Sequence, residues 1–120
     1  MSDLFTRANN VCLVVLDVDG VLTDGSIWTG ENGESVKRFC TRDGLGIKML
    51  QSAGIPVAIL TGRLSAQTAA RARELGIGCV KQGKRFKTQA WEEILAEHGV
   101  TDEQTAYMGD DVPDIPVLQR

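Results

Sequence analysis

Apolar and polar positions along the chain come in blocks that read as strand, then helix, then strand again. Val11-Cys12-Leu13-Val14-Val15-Leu16 is a continuous apolar run rich in β-branched residues. That is the pattern of a strand covered on both faces. Ile55 to Leu60 is a second such run, Gly78-Cys79-Val80 a short third and Thr105 to Met108 a fourth. Helical stripes lie between them. Leu45, Ile47, Met49, Leu50 and Ala53 fit one helix, with Asp43 as its cap and Gly54 as its end. Ser65 to Leu75 fits a second, with Gly76 in the C-cap place. Ala90, Trp91, Ile94 and Leu95 form the core stripe of a third. His98 and Gly99 follow it, the histidine near the negative end of the helix dipole. Alternating strands and helices predict an α/β fold with a doubly wound parallel sheet.

One segment breaks the alternation. Ser26 to Glu31 and Glu34 to Phe39 flank Asn32-Gly33, a pair that favours a type I′ turn. The chain is therefore read as a single domain over residues 1–120, with a β-hairpin flap at about 25–40 inserted after the first strand. Trp28, in that hairpin, is read equally as a wall of a site or as a contact with a neighbouring subunit.

Composition narrows the function classes. The chain has 120 residues, 42% of them hydrophobic and 24% charged, which suits one globular domain. A formal net charge of −3 lacks the basic footprint of a nonspecific nucleic-acid binder. No apolar run approaches the roughly 20 residues that span a bilayer. Neither nucleic acid nor membrane is an expected partner. Cys12, Cys40 and Cys79 are far apart and fit no zinc spacing. They read as reduced thiols, with Cys12 and Cys79 buried and inert in strands. Met1 to Asn10 lacks the apolar core of a secretory signal. The expected location is cytoplasmic.

The chemistry is expected beyond the carboxyl ends of the parallel strands, where such sheets bind ligands. Asp17-Val18-Asp19-Gly20 follows the first strand and Thr61-Gly62-Arg63 the second. Lys81, Lys84, Arg85 and Lys87 follow the third, and Gly109-Asp110-Asp111-Val112-Pro113-Asp114 the fourth. Clustered carboxylates repel unless a cation sits among them. Hard oxygen ligands with open positions suit Mg²⁺. Lysine, a threonine hydroxyl and Mg²⁺ together suit a phosphoryl group.

These residues resemble the four motifs of the haloacid dehalogenase (HAD) superfamily. Asp17-Val-Asp-Gly-Val-Leu-Thr-Asp24 is similar to its first motif, Thr61-Gly-Arg63 to its second, Lys87 to its third and Gly109-Asp-Asp-x-x-Asp114 to its fourth. Asp24-Gly-x-Ile-Trp28, Arg42-Asp-Gly-Leu-Gly46, Leu60-Thr-Gly-Arg63 and Gln82-Gly-x-x-x-Lys87 further resemble the 3-deoxy-D-manno-octulosonate 8-phosphate (KDO 8-P) phosphatase family. The resemblance implies a HAD-like Rossmannoid sheet with a hairpin flap and no large cap domain. It also implies a Mg²⁺-dependent homotetramer that hydrolyses a sugar phosphate in lipopolysaccharide synthesis. N-acylneuraminate 9-phosphate is the alternative substrate, because a similar domain accompanies sialic-acid activating enzymes.

By that resemblance Asp17 is the nucleophile that forms an aspartyl-phosphate, and Asp19 is the general acid and base. Asp17, the Asp19 backbone carbonyl and Asp110 would hold Mg²⁺. Asp111 and Asp114 would orient the metal's water shell. Lys87 would offset charge, Thr61 and the backbone near Gly62 would hold phosphate oxygens, and Arg63 and Arg42 would face the sugar. Family members run tens of residues past the fourth motif, through a strand, a helix and a tail. This chain is expected to lack them, as a fragment or a short form.

Rival readings are weaker. A calcium loop fails because Val21 occupies a ligand position. Gly78-x-x-x-x-Gly83-Lys84 imitates a phosphate-binding loop, but Arg85 replaces the required hydroxyl residue. Lys81, Lys84 and Arg85 read as a solvated loop. A receiver-like phospho-acceptor domain needs an acceptor aspartate after the third strand, where this chain has Lys81. A weakly catalytic homologue would fold and bind metal without turnover.

Overall fold

Four short strands assemble side by side; the two central ones bury residues on both of their faces, and the two edge strands are largely half-buried. The computed structural model describes residues 2–120. A first helix, α1 (Ser2–Asn9), precedes β1 (Leu13–Leu16). The hairpin strands β2 (Trp28–Thr29) and β3 (Ser35–Val36) follow, then α2 (Thr41–Ser52), β4 (Val57–Leu60), α3 (Ala66–Leu75) and β5 (Cys79–Lys81). The chain continues through α4 (Lys87–His98), β6 (Thr105–Met108) and a last short helix, α5 (Ile115–Leu118).

The main sheet has the order β5-β4-β1-β6 and is parallel throughout. Val15 of β1 lies opposite Ala58 of β4 on one side and Tyr107 of β6 on the other. The period of two along each strand sorts the core into two layers. Leu13, Val15, Ala58 and Leu60 pack with Ala90, Trp91, Ile94 and Leu95 of α4. Leu16, Val57 and Ile59 pack on the other face with Ile47 of α2 and with Ala72 and Leu75 of α3. Helices on both faces make the sheet doubly wound, as the alternation predicts. After β1 the chain adds β4 and β5 to one side and then β6 to the other, so the strand order reverses at β1. Open α/β sheets bind ligands beside that reversal.

The helix ends follow local chemistry. The Ser65 hydroxyl accepts the Thr68 N–H at 3.1 Å, a cap that contributes about 1 kcal/mol. Gly76 ends α3 at φ 72°, with the Ile77 N–H donating to the Ala72 carbonyl at 2.8 Å. Trp91 is buried, donates to Asp102 at 2.7 Å and meets Tyr107 edge-on. His98 closes α4, its Nδ1 2.9 Å from the Ile94 carbonyl.

Several sequence expectations are corrected. The first strand begins at Leu13, not Val11. Cys12 lies before it and is exposed, so it is not a buried strand thiol. Cys79 does sit in a strand, half-buried, and burial followed by Glu97 pushes its thiol up to about 11. Asp43 does not cap α2; Cys40 holds that position and Asp43 falls in the first turn. Leu45 and Met49 are each 64% exposed, so only Ile47 and Leu50 of that stripe turn inward. The hairpin turn is not type I′. Gly33 has φ 83°, but no non-glycine residue among the described residues, Asn32 included, has positive φ. The Gly33 N–H donates to the Gly30 carbonyl, and the Gly30 N–H to the Glu34 carbonyl. This is an ordinary turn closed by a glycine bulge, which leaves Asn32 unstrained. The helix α1 had no strong apolar stripe to announce it; Leu4 and Phe5 are both exposed.

Candidate active site

The strand ends gather the polar residues into one pocket of about 240 Å³, lined by Asp17, Asp19, Thr61, Gly62, Arg63, Lys87, Asp110, Asp111 and Asp114. Nine of the residues singled out from the sequence thus meet in space. Arg42 is not among them. It is exposed in the first turn of α2, beside a separate depression with Thr23 and Asp24.

Asp17 is the first residue beyond β1. Its backbone N–H donates to the Met108 carbonyl at 3.0 Å, extending the β1–β6 pairing by one residue. Its side chain is therefore aimed by the sheet itself. One carboxylate oxygen accepts the Val18 N–H at 2.7 Å, and the other lies 3.3 Å from the Lys87 ammonium. Burial pushes the Asp17 carboxyl above its ordinary range. The Val18 N–H and Lys87 pull against burial, and the Asp114 charge adds to it.

Lys87 opens α4, where a cation opposes the helix dipole. Its ammonium is buried and paired with both Asp17 and Asp114, and it also bonds the Tyr107 hydroxyl at 3.1 Å. The two acids offset the unfavourable placement. Asp114 is fully buried, and protein donors fill both of its oxygens. Lys87 and the Tyr107 hydroxyl donate to one; the Asp110 and Asp111 N–H groups donate to the other at 2.9 and 3.1 Å. Burial raises the Asp114 carboxyl, but Lys87, Tyr107 and the Asp111 N–H outweigh it and hold it below the usual range. Burial and then the Asp114 charge push the Tyr107 phenol far up, so it stays a donor.

Asp110 is exposed to the pocket and leans on Gly20, where an added Cβ would stand 1.7 Å from its carboxylate. Gly20 also has φ 85°, so two constraints favour glycine there. Asp111 caps the turn over Val112–Asp114 and accepts the Val112 N–H at 2.7 Å. Thr61 is buried at the end of β4, its backbone pinned between the Lys81 carbonyl and the Lys84 N–H. Gly62 and Arg63 are exposed at the pocket rim.

A cation fits this donor set. Single carboxylate oxygens of Asp17, Asp110 and Asp114 lie within 4.8 Å of one another. Asp114 has its lone pairs engaged by four protein donors, which leaves Asp17 and Asp110 as the open carboxylates. Hard oxygen donors of this kind suit Mg²⁺.

Two site residues were not read from the sequence. Tyr107 sits inside an apolar strand and showed no motif. Lys37 reaches the site from the hairpin, its ammonium 2.8 Å from Asp19 and its side chain only 2% exposed. The signal for it was the alternation Ser35-x-Lys37-x-Phe39, which sets the lysine on the same face as an inward phenylalanine.

A parallel sheet with acids after its first and last strands, threonine after the second and a lysine opposite them defines a class of hydrolase. A family model of haloacid dehalogenase-like hydrolases matches residues 38–120, and the chain belongs to that family. It is 49% identical over 112 residues to 3-deoxy-D-manno-octulosonate 8-phosphate phosphatase KdsC of Haemophilus influenzae, covering 93% of this chain and 62% of that protein. It is 42% identical to KdsC of Escherichia coli K12, covering 99% and 63%. The chain thus spans under two thirds of the length of these relatives. Among solved structures, the same phosphatase from Moraxella catarrhalis, in complex with magnesium, phosphate and KDO, aligns with a TM-score of 0.92 at 40% identity. That alignment covers 97% of this chain and 67% of the other. No helix among the described residues is long and apolar enough to cross a membrane.

Proposed function

We propose that the chain carries the catalytic centre of a Mg²⁺-dependent phosphatase for a sugar phosphate, with 3-deoxy-D-manno-octulosonate 8-phosphate as its substrate. The observation that carries the reading is the buried Asp17–Lys87 contact at 3.3 Å at the closed end of the acidic pocket. The family match and the KdsC relatives support it.

Asp17 attacks phosphorus through its carboxylate. The bond from phosphorus to the sugar oxygen breaks as the aspartyl-phosphate forms, and Asp19 gives its proton to that leaving oxygen. Asp19, now a carboxylate, takes a proton from water as that water attacks phosphorus and frees Asp17. Lys87 opposes the upward pull of burial on Asp17 and offsets charge on the transferring phosphoryl. The Thr61 hydroxyl and the Gly62 N–H hold phosphate oxygens, and Arg63 at the rim faces the sugar. Arg42 faces the sugar only if a neighbouring chain or a rearrangement brings it there. Asp17, the Asp19 carbonyl and Asp110 would hold Mg²⁺, which when bound screens the repulsion between an anionic nucleophile and an anionic ester. Asp111 and Asp114 orient that group's surroundings, Asp114 by fixing Lys87 and the 110–111 backbone.

A homotetramer, a cytoplasmic location and a place in lipopolysaccharide synthesis complete the reading. Trp28 and Val36, paired across the hairpin and both exposed, support self-association, which light scattering reads directly. The reaction is tested by phosphate release from a panel of the octulosonate ester, N-acylneuraminate 9-phosphate and hexose phosphates. Turnover of the octulosonate ester is expected, lost in EDTA and reduced at least about 1,000-fold in Asp17→Asn. Preference for another ester overturns the substrate. No release from any ester overturns the phosphatase assignment for this chain.

A further inference from the structure

The hairpin touches the site through one side chain that the four strand-end motifs do not include. Along β3 and just beyond it, Ser35, Lys37 and Phe39 turn inward while Val36 and Arg38 face out. Phe39 packs on the core layer under α2 and α3. Ser35 is held by Gln67 of α3, whose amide donates to both the Ser35 hydroxyl (3.0 Å) and its carbonyl. Lys37 stands between these two anchors with its ammonium on Asp19 Oδ1 at 2.8 Å. Its side chain is 2% exposed, whereas that of Asp19 is 20% exposed. Burying a lysine so completely is costly unless its charge is met, and the Asp19 carboxylate, in the state that takes a proton from water in the second step of the proposed reaction, meets it. Among the described residues the Asp19 carboxylate accepts no other hydrogen bond, in contrast to Asp17 and Asp114.

The geometry points to Lys37 as a positioning residue: its ammonium locks the Asp19 side chain in one rotamer and in the same contact ties the flap to the site. The inference rests on Asp19 being the acid and base of the proposed reaction. It adds that a flap residue places that carboxylate. Gln67 and Phe39 hold the hairpin down without touching Asp19, so fastening and positioning separate experimentally.

The test compares Lys37→Met, Lys37→Gln, Lys37→Arg and Gln67→Ala in this chain, with Lys37→Gln standing in if the methionine variant does not fold. Three-bond couplings at Asp19 report its χ1, amide exchange over residues 35–39 reports flap docking, and kcat and KM report chemistry. Lys37→Met is expected to average the Asp19 rotamer and lower kcat about 10- to 100-fold, the scale of a misplaced catalytic group. KM should stay within about threefold. Lys37→Arg restores the single rotamer and most of kcat, because a guanidinium can still reach the carboxylate. Gln67→Ala should speed exchange yet keep the Asp19 rotamer, with kcat within about threefold of the parent. A single Asp19 rotamer in both Lys37→Met and Lys37→Gln overturns the inference, as does a Gln67→Ala variant that loses as much kcat as Lys37→Met. If the parent chain releases no phosphate, the phosphatase reading fails. The rotamer and exchange data then still decide whether Lys37 positions Asp19.

Discussion

The floor of the pocket and the hairpin flap are held by different physics. Asp17 follows β1, Lys87 opens α4, Tyr107 lies in β6 and Asp114 sits in the turn before α5, so each is anchored in or beside an element packed on the core. Every charge there has at least two partners. The flap is two strands of two residues each, its tip residues are exposed, and Lys37, Gln67 and Phe39 join it to the body. In the proposed reaction an overdetermined floor would keep Asp17 still, and a lightly tethered flap would let product leave without disturbing that floor. Low local contact density is where such motion is usually found.

Lys87→Met should break the floor most severely. It strands Asp17 and Asp114 as buried acids, and removing one partner of a buried pair costs about 3–5 kcal/mol. Urea unfolding reads the loss, and phosphate release should vanish with it. If the stability change is under about 1 kcal/mol, the value of an exposed pair, the floor is no more rigid than the flap.

Asp114→Asn is the next largest perturbation. The Asp114 carboxyl is held below its ordinary range, so it contributes stability above the unfolded carboxyl pKa of about 3.9 and loses it as pH falls below that value. The variant should be about 2–3 kcal/mol less stable near neutrality, where hydrogen bonds to a charged group are lost. Its deficit should shrink as pH falls from about 5 to about 3. Asp17 has the opposite sign: its carboxyl is raised, so its ionised form costs stability at neutral pH. Asp17→Asn should therefore not lower the unfolding midpoint in EDTA, even though the proposed mechanism requires it to lose turnover. A pH-independent Asp114→Asn deficit would show that packing, not charge, sets the floor.

Gly33→Ala probes the flap alone and should act least. Gly33 has φ 83° with open space where a Cβ would stand, so the cost is backbone strain of about 1 kcal/mol. Amide exchange at the hairpin tip should rise while the β1 and β4 amides keep their protection. Loss of protection in β1 would show that the two regions unfold together.

Much of this was legible in the chain itself. Strands buried on both faces demand continuous apolar runs, and β1, β4 and β6 were found that way to within two residues. Polar residues directly after those runs fall at one sheet edge, so Asp17, Thr61 and Asp110 are legible as one group, whereas Lys87 stands out from its basic neighbours only by resemblance to the family's third motif. The Cys40 cap, the exposed Leu45 and Met49 and the bulged hairpin turn were not legible. Each depends on which way a segment turns after its local pattern is satisfied. Tyr107 was hidden because a tyrosine in a strand reads as apolar filling until Asp114 is seen folded against its hydroxyl.

Spacing and periodicity along the chain thus determined the sheet, its carboxyl edge and the residue types waiting there, because backbone geometry converts short-range order directly into facing. Tertiary structure alone decided the partners. Asp114 turns inward to Lys87 and Tyr107, Arg42 stays outside the pocket, and Lys37 crosses from the flap to Asp19. Those choices rest on burial and on the pairing of charges far apart in sequence, which no local pattern encodes.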